Sequence, residues 1–277
     1  MNESGQINFY ICQMEILRII YKSIGVVFFT LFYFLILLTG SICLSLIGRK
    51  TERWRNRILS IWGKTVAYIF SIKINIEGEP PAPPFILVSN HLSYLDIVVY
   101  YAIVDATIVS KAEVSRWPVF GFIAKNIGVI FIDREKRMDV KRVNKEIAEN
   151  VNPRSGVLIF PEGRISPGDK ILPFKPSLLE FAVAENIKVY SSTLCYDTLS
   201  DDPGLISKLI WYGDEPMLSH FLRFCTLKRS FANVTFSEDG IIHDDRKELA
   251  KLLYERVSDN YKPVYLPEYQ KKVSSES

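Results

Sequence analysis

The sequence predicts an α/β fold: a mainly parallel or mixed sheet flanked by helices, behind an N-terminal membrane helix or helical hairpin. Three observations carry this expectation. The stretch "SIGVVFFTLFYFLILLTGSICLSLIG", residues 23–48, contains no charged side chain. From residue 72 on, short β-rich runs alternate with amphipathic helical patterns, the signature of βαβ units. Several of those runs are apolar at every position, as strands covered on both faces are.

The apolar run comes first. About 20 such residues cross a bilayer core as a helix, and the run is longer than that, without the small-residue cleavage pattern of a secretory signal. Gly40 and Ser41 interrupt it, so one spanning helix and two shorter helices that enter and leave one leaflet both remain open. Arg18 and Lys22 precede it; Arg49, Lys50, Arg53, Arg55 and Arg57 follow. Basic flanks stay on the cytoplasmic side. Residues 1–50 are therefore expected to be a single-pass or monotopic anchor, and residues 51–277 a domain on the cytoplasmic side. The basic segment "RKTERWRNRILSIWGKTVAYIF" carries Trp54, Trp62 and Tyr68. It suits a headgroup layer or the solvated first helix of the domain.

The remaining elements follow in order. "IKINIEG" alternates at period two, and "PPAPP" (80–84) is a rigid connector. "FILVS" (85–89) reads as a buried strand, with a helix from Tyr94 to Ala102. "ATIVS" (106–110) is a strand, "WPVFGFIAKNIG" a turn and short helix, "VIFID" (129–133) a strand and "RMDVKRVNKEIAENV" an amphipathic helix. "GVLIF" (156–160), "SLLEFAVAEN" and "IKVYSSTL" read as strand, helix and strand. "WYGDEPMLSHFLRF" has apolar residues at helical spacings, a core pattern. "FANVTFS" is a late strand and "DDRKELAKLLYERVSDNY" a closing helix. His220 and His243 are expected on the surface or in loops.

Composition excludes several classes. A net charge of +3 is too small to imply nucleic acid. The four cysteines are scattered, one of them in the apolar run, and make neither a disulfide framework nor a metal pattern. Three histidines without an HxxxH spacing argue against zinc. No GxSxG, GxGxxG or Walker sequence occurs.

In parallel sheets, ligands collect beyond the carboxyl ends of strands. There the sequence offers Asn90, His91 and Asp96 after the first buried strand, Asp133 and Arg134 after another, and Pro161, Glu162, Gly163 and Arg164 after a third. One histidine, three acids and two arginines suit an anionic substrate beside a base. Histidine accepts a proton near neutral pH, and a carboxylate can hold one ring nitrogen protonated while the other acts as base. A lone His–Asp pair is also a common structural hydrogen bond. No serine nucleophile at a recognisable elbow accompanies His91, so the nucleophile is expected to belong to the substrate, as an alcohol.

Taken together, Asn90-His91-x4-Asp96, "GVIFIDR" (Gly128–Arg134) and "FPEG" (Phe160–Gly163), with "SKAEVSRWPVFG" between the first two blocks, resemble the glycerolipid acyltransferase family, which includes 1-acylglycerol-3-phosphate acyltransferases. The resemblance runs from about residue 72 to 195. It implies acyl transfer from acyl-CoA or acyl carrier protein to a lysophospholipid hydroxyl at a membrane, with neither metal nor cofactor. His91 would be the base and Asp96 its orienting partner. Asn90 would belong to the binding block, Arg134 would hold the acceptor phosphate, Glu162 would bond the glycerol or a positioning arginine, and amides near Gly163 would serve the oxyanion. The third block departs from the family's common F-P-E-G-T-R-S: Arg164 stands in the Thr place and Ile165 in the Arg place. "GDKILPFKPSLLEFA" is as similar to relatives that acylate lyso-ornithine lipid. Lys175 is an added anion contact or a solvated lysine. The rival readings are an inert lipid-binding protein that keeps the fold, and a thioesterase.

Overall fold

The computed structural model describes residues 3–133, 137–200 and 203–264. The apolar run does not break at Gly40–Ser41. A single helix, α1, extends from Glu3 to Leu46. Gly40 serves packing: a Cβ there would meet the Trp54 indole at 2.3 Å. The chain reverses around Gly48, at φ 67°, into α2 (Glu52–Phe70), which runs back along α1. Trp54 Nε1 donates to the Leu37 carbonyl at 3.2 Å, and Trp62 Nε1 to Thr30 Oγ1 at 3.0 Å. The two indoles expected at a headgroup layer thus join the two helices of a hairpin. Its far end is fastened too, where Lys22 Nζ donates to the Leu227 carbonyl at 2.6 Å and Arg18 to that of Thr226 at 3.1 Å.

The domain follows as β1 (Ile72–Glu77), β2 (Ile86–Ser89), α3 (Leu95–Ile103), β3 (Ala106–Lys111), a 3₁₀ turn at Ala112–Arg116, α4 (Phe120–Asn126), β4 (Ile130–Ile132), α5 (Arg137–Asn150) and β5 (Gly156–Ile159). It closes with α6 (Glu180–Ala184), β6 (Val189–Thr198), α7 (Pro203–Ile206), α8 (Met217–Cys225), β7 (Ser230–Phe236) and α9 (Arg246–Asp259). The helical pattern at 177–186 yields only a 3₁₀ turn and the short α6, because Pro176 opens it and Asn186, at φ 52°, ends it.

Seven strands form one sheet in the order β1-β7-β6-β2-β5-β3-β4. All neighbours pair parallel except β6 with β7, so the sheet is mixed. The run β6-β2-β5-β3-β4 brings its carboxyl ends to one edge. β2 is buried at every position, and its side chains alternate between two cores as the pleat requires. Leu87 faces the cluster built with α2 and α3, including Val66, Leu95 and Val99. Ile86 and Val88 face the cluster of α5, α6 and α9, with Ile147, Ala182 and Leu253. Arg55 pins α2 to the strands' amino ends by donating to Thr107 at 2.9 Å and Ser155 at 3.2 Å. The segment around α8 is only partly core: Phe224 and Cys225 are buried, whereas Leu218 is 68% exposed.

Candidate active site

The carboxyl end of β2 gathers the chemistry. Beyond Ser89, the Asn90 carboxamide extends the strand pairing. Its Nδ2 donates to the Leu194 carbonyl and its Oδ1 accepts from the Leu194 amide, both at 2.8 Å. Asn90 is fully buried. Its amide is spent on β6, and the work the structure gives it is to hold the turn that presents His91, in place of the substrate contact the sequence suggests.

His91 Nδ1 lies 2.7 Å from Asp96 Oδ2. Its ring stacks on Phe160, with centroids 4.2 Å apart and planes at 18°. Nε2 makes no hydrogen bond among the described residues, and the side chain is 18% exposed. One nitrogen is therefore held and the other is presented outward, the arrangement a general base needs.

Asp96 is wholly buried in the first turn of α3. A buried carboxylate requires donors, and it has four. Oδ2 accepts from His91, from the Leu92 amide at 2.7 Å and from the Ser93 amide at 3.0 Å. Oδ1 accepts from the Tyr196 hydroxyl at 2.8 Å. Tyr196 lies on β6, a hundred residues from Asp96, and sequence reasoning missed it. Only the adjacency of β6 and β2 brings the two together.

Glu162 braces the loops. Its Oε1 accepts from the His91 amide and its Oε2 from the Leu172 amide, each at 2.7 Å. Both oxygens are engaged by backbone and the side chain is buried, so the bonds the structure gives Glu162 hold the loops on either side of His91 together. Burial, with the Asp96 charge adding to it, pushes its pKa up to about 8 against the pull of those two amides. Its proton is thus held more tightly in the folded chain than in the unfolded one, and stability falls as pH rises from about 5 through about 8. Replacing Glu162 with alanine orphans two amides at about 1–3 kcal/mol each. Calorimetry should show a lowered Tm for Glu162→Ala, and a smaller loss for Glu162→Gln, which keeps one acceptor.

Gly163, at φ 79°, closes a turn by donating its amide to the Phe160 carbonyl at 3.2 Å. The amides of Arg164 and Ile165, next along, bond to nothing among the described residues. The Arg164 and Lys175 side chains are exposed, and the Lys175 amide donates to the Pro161 carbonyl at 2.9 Å. Arg134 lies outside the described residues; the amide of its neighbour Asp133 donates to Asp139 Oδ2 at 2.5 Å.

His220 differs from expectation. It is fully buried on α8, with Nδ1 3.1 Å from the Tyr94 hydroxyl. Burial, reinforced by Arg223, lowers its pKa to about 4, so the imidazole is neutral near pH 7. Tyr94 belongs to the loop between His91 and Asp96, so α8 supports that loop from outside. The helical spacing at 211–224 marked the segment as core but not this contact. His243 lies in a loop, as expected.

Comparison with known proteins is consistent with this geometry. The sequence profile of the acyltransferase family matches residues 72–194. The 1-acyl-sn-glycerol-3-phosphate acyltransferase of Neisseria gonorrhoeae is 30% identical over 209 residues, covering 73% of this chain and 80% of that protein. The lyso-ornithine lipid O-acyltransferase of Pseudomonas aeruginosa is 29% identical over 210 residues, covering 74% and 78%. The crystal structure of the 1-acyl-sn-glycerophosphate acyltransferase PlsC from Thermotoga maritima superposes with a TM-score of 0.66 at 20% identity, covering 89% of this chain and 95% of that one. The last likeness is one of fold.

Proposed function

Because the chain belongs to the acyltransferase family and is an O-acyltransferase, we propose that it acylates the free hydroxyl of 1-acylglycerol-3-phosphate, giving phosphatidate, with acyl-CoA or acyl carrier protein as donor. The observation that carries this reading is the His91–Asp96 pair with its outward nitrogen. Nε2 takes the proton of the acceptor hydroxyl as its oxygen attacks the thioester carbonyl. Asp96 offsets the charge of the imidazolium. The tetrahedral oxyanion is met by the unpaired amides of Arg164 and Ile165, one and two residues beyond Gly163. Collapse breaks the C–S bond, and the imidazolium returns its proton to the leaving thiolate. Arg134 and Arg164 supply cations for the acceptor phosphate.

On the same reading the enzyme is monotopic. The outer face of α1 carries Ile24, Phe28 and Leu35, each more than half exposed, and is directed to lipid, while the inner face is bonded to α2 at Thr30 and Leu37 and to the segment after α8 at Arg18 and Lys22. A helix fastened in this way lies along a membrane surface; crossing the bilayer would draw the polar domain in with it. The basic residues after α1 suit the anionic cytoplasmic leaflet, which supports a cytoplasmic side for the domain.

A second acceptor, lyso-ornithine lipid, is favoured by one feature: Ile165 occupies a place the family commonly gives to arginine, so that place holds no cation for a phosphate. A panel of lysolipids, with thiol release as readout, decides between them. If the acceptor is phosphate-bearing, Arg134→Ala raises its KM by about tenfold, the loss of one charge-assisted contact. Arg134→Lys restores part, and Arg164→Ala raises KM less. Equal turnover of a lysolipid without phosphate would overturn the first acceptor. Thiol release with no acceptor present would instead indicate a thioesterase.

A further inference from the structure

The segment after β3 carries an apolar group that the reaction does not use. Val119, Phe120 and Phe122 are 61%, 57% and 60% exposed. We propose that this turn and the start of α4 form a second lipid-contacting element, which with α1 seats the domain on a phospholipid bilayer. The proposal rests on the reading that α1 faces lipid.

Three observations carry it. The first is position. The 3₁₀ turn that leads to the patch leaves the carboxyl end of β3, and His91 leaves the carboxyl end of β2; both strands pair parallel with β5. At roughly 4.8 Å per strand the two exits are about 10 Å apart across one edge. From the β3 exit the chain reaches the patch through the 3₁₀ turn Ala112–Arg116, on the side of the sheet that α1 covers. The second is continuity. Phe122 meets Phe34 of α1 edge to face, with centroids 5.8 Å apart, and beyond that contact Asn126 of α4 lines a groove of about 400 Å³ with Leu38, Ser41, Ile42 and Ser45 of α1. The apolar surface of α1 thus runs onto α4 without a polar break at the Phe34–Phe122 contact.

The third is that the backbone forces the exposure. Val119 sits at φ 63°, ψ −59°, where a β-branched residue is a rare outlier held only by its surroundings. Two residues on, Gly121 packs so tightly on the preceding 3₁₀ turn that a Cβ would meet the Ser115 carbonyl oxygen at 2.4 Å. This clamp holds Val119 and the flanking phenyl rings outward. Lys111, Arg116 and Lys125 are exposed around the patch, against one exposed acid, Glu113, leaving the net positive charge that anionic headgroups favour. A second copy of the chain meeting the patch about a two-fold axis would bring two net-positive surfaces together, so charge favours the bilayer.

The test uses the full chain on vesicles of phosphatidylcholine and phosphatidylglycerol. Phe120→Trp adds emission to that of the parent, and lipids brominated in the acyl chains should quench it while aqueous iodide does not. In Phe120→Asp/Phe122→Asp, turnover of lysolipid embedded in vesicles should fall by about tenfold, following the lost apolar transfer, while turnover of a water-dispersed short-chain lysolipid stays at the parent rate. The proposal is overturned if iodide quenches the added tryptophan and bromolipid does not, or if both substrates slow equally. It is also overturned if the double variant merely converts a dimer to a monomer in ultracentrifugation with no lipid quenching. Phe28→Trp separates the readings: quenched alone, it leaves α1 on lipid and removes α4. A parent inactive on both substrates would overturn the acyltransferase reading, while the quenching still decides the patch.

Discussion

His91→Ala is expected to lower kcat by about 10²–10⁴-fold, the usual cost of removing a general base, with little change in Tm. The small stability effect follows from where the residue's bonds lie. Its backbone amide stays on Glu162, and its carbonyl keeps accepting from Ser166 at 2.8 Å. The truncation removes only the Asp96 bond and the stack on Phe160. Initial rates of thiol release from acyl-CoA, measured on purified protein with a lysolipid acceptor, check the first part, and calorimetry the second. A variant that keeps more than roughly half its rate would sink the base assignment.

Asp96 should separate catalysis from stability. In Asp96→Asn the carboxamide oxygen takes the place of Oδ2 and still accepts from His91, Leu92 and Ser93, while Tyr196 turns its hydroxyl to accept from the new amide. The fold survives, but the negative charge that offsets the imidazolium is gone, so kcat falls by about 10²-fold or more. Asp96→Ala goes further. It leaves the Leu92 and Ser93 amides and the Tyr196 hydroxyl buried without partners, at about 1–3 kcal/mol each. This variant should lose Tm as well as rate. If Asp96→Asn retained parental kcat, the pair would be a structural hydrogen bond and His91 would need another orienting group.

Much of the site was legible because it is local. His91 and Asp96 are five residues apart, and a strand-to-helix turn brings such neighbours together whatever the rest of the chain does. The same holds for Phe160 to Gly163, where a glycine at positive φ marks the turn. Illegible were the contacts between strands. Tyr196 reaches Asp96 only because β6 lies beside β2, and strand order leaves no trace in the spacing of residues. Likewise Glu162 and Asn90 read as binding groups, since acids and amides at strand ends commonly are. The structure shows their polar atoms already engaged by the backbone of other segments.

The N-terminal run shows the same division. Its composition determined that the uncharged run, down to Leu46, forms an apolar helix, because an uncharged stretch of that length has few other folded states. Whether that helix stands alone depended on Trp54 and Trp62, which bond to Leu37 and Thr30 once the chain has turned back on itself. The sequence by itself determined the alternation of strands and helices, the pairing of His91 with Asp96, and the apolar character of the N-terminal run, all of which rest on residues near one another in the chain. Only the tertiary structure decided the sheet order, the fourth donor to Asp96, the burial of His220 and the pairing of α1 with α2. Each of these is settled by desolvation and hydrogen-bond satisfaction between segments that meet only when the chain has folded.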